Sequence, residues 1–117
     1  MDGMSIKRGD ICLAALDPVV GKEIAKTRPV VVISNDKNNE FSGTVTILPI
    51  TSKRLEKVYP FEVFLAKGTG NLPKDSKVKA DQIRTMDKSR LRTFWGKLMK
   101  EEMDKIDNAI KIHLALS

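Results

Sequence analysis

Arg28 stands directly before Pro29-Val30-Val31-Val32-Ile33, the most apolar run of the 117-residue chain. A guanidinium is always charged and carries a planar fork of N–H donors, so an arginine held at a fixed point can grip two oxygens of one phosphate. The β-branched run after it is too short for a typical helix and does not alternate, which predicts a central strand covered on both faces. Pro29 donates no ladder bond and belongs at a strand's first position, so Arg28 falls at the strand's mouth, where scaffold meets loop. Binding and catalytic groups gather at such places, and so do charges that only solvate a strand end; the residue types leave both readings open. Residues 17–27 predict a long loop that brings Lys22, Glu23 and Lys26 straight up to Arg28. In Lys77-Val78-Lys79-Ala80-Asp81-Gln82, alternation turns Val78 and Ala80 inward and puts Lys79 and Asp81 together on the opposite face.

Other chemistries find no support. Cys12 alternates with Ile11 and Leu13 in an apolar segment, which predicts a small core residue rather than a nucleophile, and a lone cysteine forms no internal disulfide. The single histidine, His113, falls beside the apolar stripe of a C-terminal helix, a boundary position rather than a ligand. No Cys/His/Asp cluster has metal-ligand spacing, and Ser-His-Asp catalysis lacks a suitable histidine. Gly68-Thr69-Gly70-Asn71-Leu72-Pro73 has proline where a dinucleotide loop needs its third glycine, and reads as a turn. No apolar run approaches the ~18 residues of a membrane span, no secretory signal opens the chain, and one cysteine suits a reducing compartment, so the expectation is a cytoplasmic protein with no membrane association. Met1-Asp2-Gly3 ahead of Met4 reads as an expression remnant or a long start.

The elements that must position these residues are short. Residues 11–16 predict a first strand ended by Asp17-Pro18, and residues 35–43 a turn-rich connection. Residues 44–48 predict a third strand broken by Pro49 ahead of Ile50-Thr51-Ser52, and residues 53–59 a second polar loop. Phe61, Val63 and Leu65 share one face of a fourth strand, with Glu62 on the other. Residues 83–87 continue from the Lys79 segment, followed by a helical turn at 88–91 and a last strand at 93–98. Met103, Ile106, Ile110 and Leu114 recur at helical spacing, with Glu101, Glu102 and Asp104 near the positive helix start. Many short strands with frequent turns and no alternating helices predict a small, curled antiparallel barrel carrying a C-terminal helix. Residues 51–100 hold thirteen Lys/Arg against five Asp/Glu, whereas residues 1–50 are balanced and residues 101–117 are acidic. A basic middle points to a polyanion such as nucleic acid, or to an ordinary lysine-rich surface.

Arg8-Gly9-Asp10-Ile11, Leu16-Asp17-Pro18-Val19-Val20-Gly21-Lys22-Glu23, the segment from Thr27 through Asp36, Pro49-Ile50-Thr51-Ser52, and Asp81-Gln82-Ile83-Arg84-Thr85-Met86-Asp87-Lys88-Ser89-Arg90-Leu91 resemble, in order, the signatures of the MazF/PemK/Kid toxin family. The resemblance runs from residue 7 to the C-terminal helix. It implies one toxin domain over 1–117 with an SH3-like small antiparallel barrel, working as a homodimer. It further implies a toxin–antitoxin partner, an acidic cognate antitoxin whose complex with the toxin binds DNA. The implied activity is sequence-specific cleavage of single-stranded RNA with no metal and no cofactor.

Residue by residue, the resemblance makes Arg28 the principal catalytic arginine and Thr51 the catalytic threonine, with Glu23 and Asp81 as the acidic positions that compete for the role of base. It puts Lys22, Ser52, Lys53, Lys79, Asp81, Gln82 and Arg84 along the RNA. Lys79 stands where one member type has an arginine, and the loop histidine of another type is missing. Two other classes share this fold. A binding-only barrel would keep the basic middle without needing Arg28 and Thr51 to converge. A gyrase-poison toxin would depend on a C-terminal Trp-Gly-hydrophobic end, whereas here Trp95-Gly96 is internal and the chain ends Leu114-Ala115-Leu116-Ser117.

Overall fold

The computed structural model describes residues 5–117; the alternative starts at Met1 and Met4 lie outside the described residues. Seven strands follow in order: β1 (Asp10–Ala15), β2 (Thr27–Val32), β3 (Thr44–Thr51), β4 (Glu62–Leu65), β5 (Ser76–Lys79), β6 (Arg84–Asp87) and β7 (Leu91–Lys97). A short helix α1 (Asp36–Phe41) links β2 to β3, and α2 (Lys100–Leu114) ends the chain. All pairings are antiparallel, in the order β4-β5-β3-β2-β1-β7 with β6 also on β3. Among the described residues no pairing joins β4 to β7, so the mainly antiparallel β fold with a C-terminal helix forms as expected, but the small barrel is a curled sheet that does not close.

β2 is the central strand that its composition predicts. Val30, Val31 and Val32 are fully buried. Val31 packs with Ile11, Leu48, Ile50, Val78 and the helix residues Met103 and Ile106, while Val30 and Val32 pack on the other side with Cys12, Ala14, Ile47, Met86 and Leu91. At about 1.5–3 kcal/mol for each large apolar side chain removed from water, a strand buried on both faces is the one the sheet can least lose. Cys12 lies inside this core, as its alternation predicts, and burial, reinforced by the Asp10 carboxylate, pushes its thiol up to about 12.

Two proline expectations need correction. β2 runs through Pro29, opposite Leu13, and starts at Thr27. The β2–β3 ladder stops at Val30↔Pro49, so Pro29 lies past its end, where no bond is required of it on that side. Pro49 does not break β3 either. Along its other edge β3 pairs with β6 through Ile47 and with β5 from Ile50, and Pro49 falls in the gap between these partners.

The turn-rich connection contains a helix, α1, whose first turn is capped by the Asn35 side chain accepting from the Asn38 amide at 2.9 Å. In α2, Met103, Ile106 and Ala109 are buried, and the Met99 amide donates to Glu102 Oε1 at 2.9 Å. Leu114, expected on the apolar stripe, is 45% exposed because it lies in the last turn, beyond the sheet that covers the earlier ones. The Gly68–Pro73 segment is a turn, as read, and a methyl group on Gly70 would meet Ile11 Cδ1 at 2.4 Å. Among the described residues no helix is long and apolar enough to cross a membrane.

Candidate active site

Arg28 and Thr51 occupy the ends of β2 and β3 on the same edge of the sheet. Carrying the β2–β3 register two residues past Val30↔Pro49 brings Arg28 level with Thr51. Alternation puts Arg28 on the face of Val30 and Val32, and Thr51 on the face of Ile47, so both belong to one side. Each is half-buried. The Lys53 amide donates to Thr51 Oγ1 at 3.1 Å, which fixes the hydroxyl through its lone pairs and leaves its proton available to an acceptor.

Neither Arg28 nor Thr51 lines the cavity of about 270 Å³ whose wall includes Pro49, two residues before Thr51. Leu16, Ile24 and Ile83 supply further apolar lining, and Glu23, Asp81, Gln82 and Arg84 supply polar groups. The cavity gathers residues that are far apart in sequence, from the first loop and from the turn after β5. Asp81 Oδ1 is buried there with no hydrogen-bond partner, 3.7 Å from Lys79 Nζ. That oxygen is in ion-pair range of Lys79 but not hydrogen-bonded, which leaves it able to accept a hydrogen bond from a group that enters the cavity. Glu23 is exposed, and its Oε1 accepts from the Val20 amide at 3.0 Å.

Lys79 and Asp81 do come together, though not by strand alternation. β5 stops at Lys79, and Asp81 sits in a single 3-10 turn, Ala80–Gln82. Lys79 is largely withdrawn: its side chain is 19% exposed and its ammonium donates to Glu62 Oε2 at 2.6 Å. Lys22, Ser52 and Lys53 are exposed on the two loops that flank the site.

The first loop is better anchored than its composition suggests. Gln82 Oε1 accepts from the Ile24 amide at 2.7 Å, and Arg84 donates to the Leu16 carbonyl at 2.7 Å. Arg90 donates to the carbonyls of Ala15 and Asp17 at 3.1 and 2.6 Å, and Asp17 accepts from the Lys26 amide at 3.0 Å. Arg90 carries no local signal of this anchoring role, and neither do Glu62 and Lys77, which form a buried ion pair at 3.0 Å beneath the second loop. The available signal was three charges on two neighbouring strands, Glu62 against Lys77 and Lys79. His113 is exposed on the last turn of α2, its ring centroid 6.2 Å from that of Phe61. Among the described residues no group of three His, Cys, Asp or Glu side chains could hold a metal ion.

Over residues 7–114 the chain matches the model of the PemK-like, MazF-like toxins of type II toxin–antitoxin systems, and it belongs to that family. Among solved structures it resembles MazF (Form-I) from Deinococcus radiodurans, with 26% identity over 96% of this chain and 98% of that one and a TM-score of 0.82. The Mycobacterium tuberculosis toxin MazF-mt6 is 25% identical over 92% of this chain and 98% of its own, with a TM-score of 0.78. An endoribonuclease in complex with its cognate antitoxin, from a mycobacterial species, shares the fold at 22% identity, with 100% and 98% coverage and a TM-score of 0.76.

Proposed function

We propose that this chain, as one toxin domain over residues 1–117, is a cytoplasmic, metal-independent endoribonuclease that cuts single-stranded RNA at short sequences. The observation that carries this reading is Arg28 level with Thr51, two residues past the Val30–Pro49 pair whose proline lines a cavity shared with Glu23 and Asp81, in a member of the MazF/PemK family. In the reaction, a ribose 2′-oxygen forms a bond to the adjacent phosphorus and the bond to the 5′-oxygen breaks. The 2′-hydroxyl proton passes to a carboxylate, the part for which Glu23 and Asp81 compete, and the leaving 5′-oxygen takes a proton from solvent. Arg28 faces the phosphate and stabilises the charge that grows on its non-bridging oxygens, while Thr51 donates a neutral hydrogen bond. Lys22, Ser52, Lys53, Lys79, Gln82 and Arg84 bind the strand on either side. The products are a 2′,3′-cyclic phosphate, opened in part by water to a 3′-phosphate and a free 2′-hydroxyl, and a 5′-hydroxyl.

The same reading assigns two partners: a second copy of the chain, and an acidic cognate antitoxin that holds the nuclease inactive. Incubating the protein with a long unstructured RNA in EDTA and sequencing the new 5′-hydroxyl ends tests the activity. Cuts clustered at a short common sequence support it. Intact RNA bound without cutting would replace it with the binding-only reading.

A further inference from the structure

Lys77 is in the middle of β5 with its side chain 4% exposed, and Glu62 across the ladder is 0% exposed. Removing both ions from water is costly, and an apolar pair of similar volume often serves a sheet as well or better, so the pair calls for a role besides stability. The hydrogen bonds indicate what that role is. An ammonium has three protons, and Lys77 spends them on Glu62 Oε1 at 3.0 Å and on the carbonyls of Arg54 and Lys57 at 2.9 Å each. Glu62 Oε1 also accepts from the Tyr59 amide at 3.0 Å. Two charges buried under the sheet's outer face therefore fasten the backbone of residues 52–61 at three points.

The fastened loop contains a strained residue. Arg54 has φ of +54°, a left-handed conformation that a side chain with a Cβ adopts only when its surroundings impose it. The Lys77 ammonium bonds the carbonyl of that same residue. Thr51, from which the loop departs, lies directly opposite Lys77 in the β3–β5 ladder, and the Lys53 amide returns to the Thr51 hydroxyl.

We propose that Lys77, seated on Glu62, is a positioning residue that locks the β3–β4 loop so that Ser52, Lys53 and Arg54 are held out beside Thr51 in the shape that binds RNA. It touches neither the RNA nor the reacting phosphate, and acts by cutting the cost of ordering the loop when the strand arrives. The RNA part of this inference rests on the ribonuclease reading; the clamp itself does not.

Two full-length variants test it. Lys77→Met keeps the stem and removes the ammonium. Lys77→Met combined with Glu62→Gln removes one charge of each sign and keeps one acceptor oxygen, which can face the Tyr59 amide. Both should raise KM for a minimal RNA substrate on the order of tenfold with kcat within about twofold, the split expected when preorganisation is lost and the chemistry is not. Amide exchange of Lys53 should speed up on the order of tenfold, as local opening becomes cheaper. In the unaltered protein, the Tyr59 amide should already be protected despite its exposed position. A folded double variant with parental KM, or a Tyr59 amide that exchanges at an open-loop rate in the unaltered protein, overturns the clamp. An unaltered protein that cuts no RNA defeats the ribonuclease reading instead, and the exchange rates still decide the clamp.

Discussion

Arg28 on β2 is level with Thr51 on β3, just beyond the last paired position of their ladder, Val30 opposite Pro49. A half-buried charge two residues past the end of that ladder is still held on its other side by pairing with Ala14, which suits a group that must meet a phosphate without moving far.

Thr51 should behave as a hydrogen-bond donor and as a loop anchor at once. Thr51→Ser, which keeps the hydroxyl, should retain most of the cleavage rate. Thr51→Val removes the proton and the acceptor for the Lys53 amide, and should lower kcat by about 10–100-fold, less than removal of a charged donor. Single-turnover cleavage of a short RNA distinguishes them; equal rates for Ser and Val would remove Thr51 from the chemistry.

Cys12 should be inert. Its burial, with its thiol pushed to about 12, leaves almost no thiolate at neutral pH and no path for a reagent. Mass spectrometry after iodoacetamide treatment at pH 8 should show an unmodified native protein and a singly alkylated unfolded one.

Much of this architecture is legible in residue order. The unbroken β-branched run marks β2, alternation marks Cys12 as core, and helical spacing marks α2. What could not be read is the part made by distant partners. Pro49 looks like a strand breaker until β3 is seen to change neighbours there. Lys77 looks like a solvent residue in an alternating strand, and its burial comes from residues 52–61 folding over the outer face of β4 and β5. Asp81 and Glu23 reach one cavity only because Gln82 and Arg84 hold the first loop down on the turn after β5.

Acid should loosen the second loop. Burial by itself raises the Glu62 carboxyl, but hydrogen bonds from Lys79, the Tyr59 amide and Lys77 outweigh it, so the group titrates below its ordinary 4.5. A carboxylate with a depressed folded pKa contributes stability that is complete above the unfolded value and is lost as pH falls through the folded one. The difference in melting temperature between the unaltered protein and Glu62→Gln should be constant from pH 7 to about 5 and shrink below that. A difference that is flat down to pH 2 would contradict this.

The antitoxin and RNA should compete. An acidic, disordered tail is the natural inhibitor for a domain whose residues 51–100 carry thirteen basic against five acidic side chains. Since the first loop is tied to Gln82, Arg84 and Arg90, the tail should cover Arg28 and displace RNA over an anchored loop. Anisotropy of a labelled, uncleavable RNA should fall as cognate antitoxin is added. Inhibition of cutting with unchanged RNA affinity would rule out occlusion. Light scattering at micromolar concentration should give the mass of two chains, and a fully active monomer would contradict the proposed homodimer.

The most direct measurement compares the unaltered protein with Arg28→Ala on one unstructured RNA in EDTA, with circular dichroism confirming that both are folded. The account predicts 5′-hydroxyl ends from the unaltered protein and a rate lower by about 10²–10³ for the variant, the usual loss for one preorganised transition-state donor. Cleavage by folded Arg28→Ala at the parental rate would contradict it.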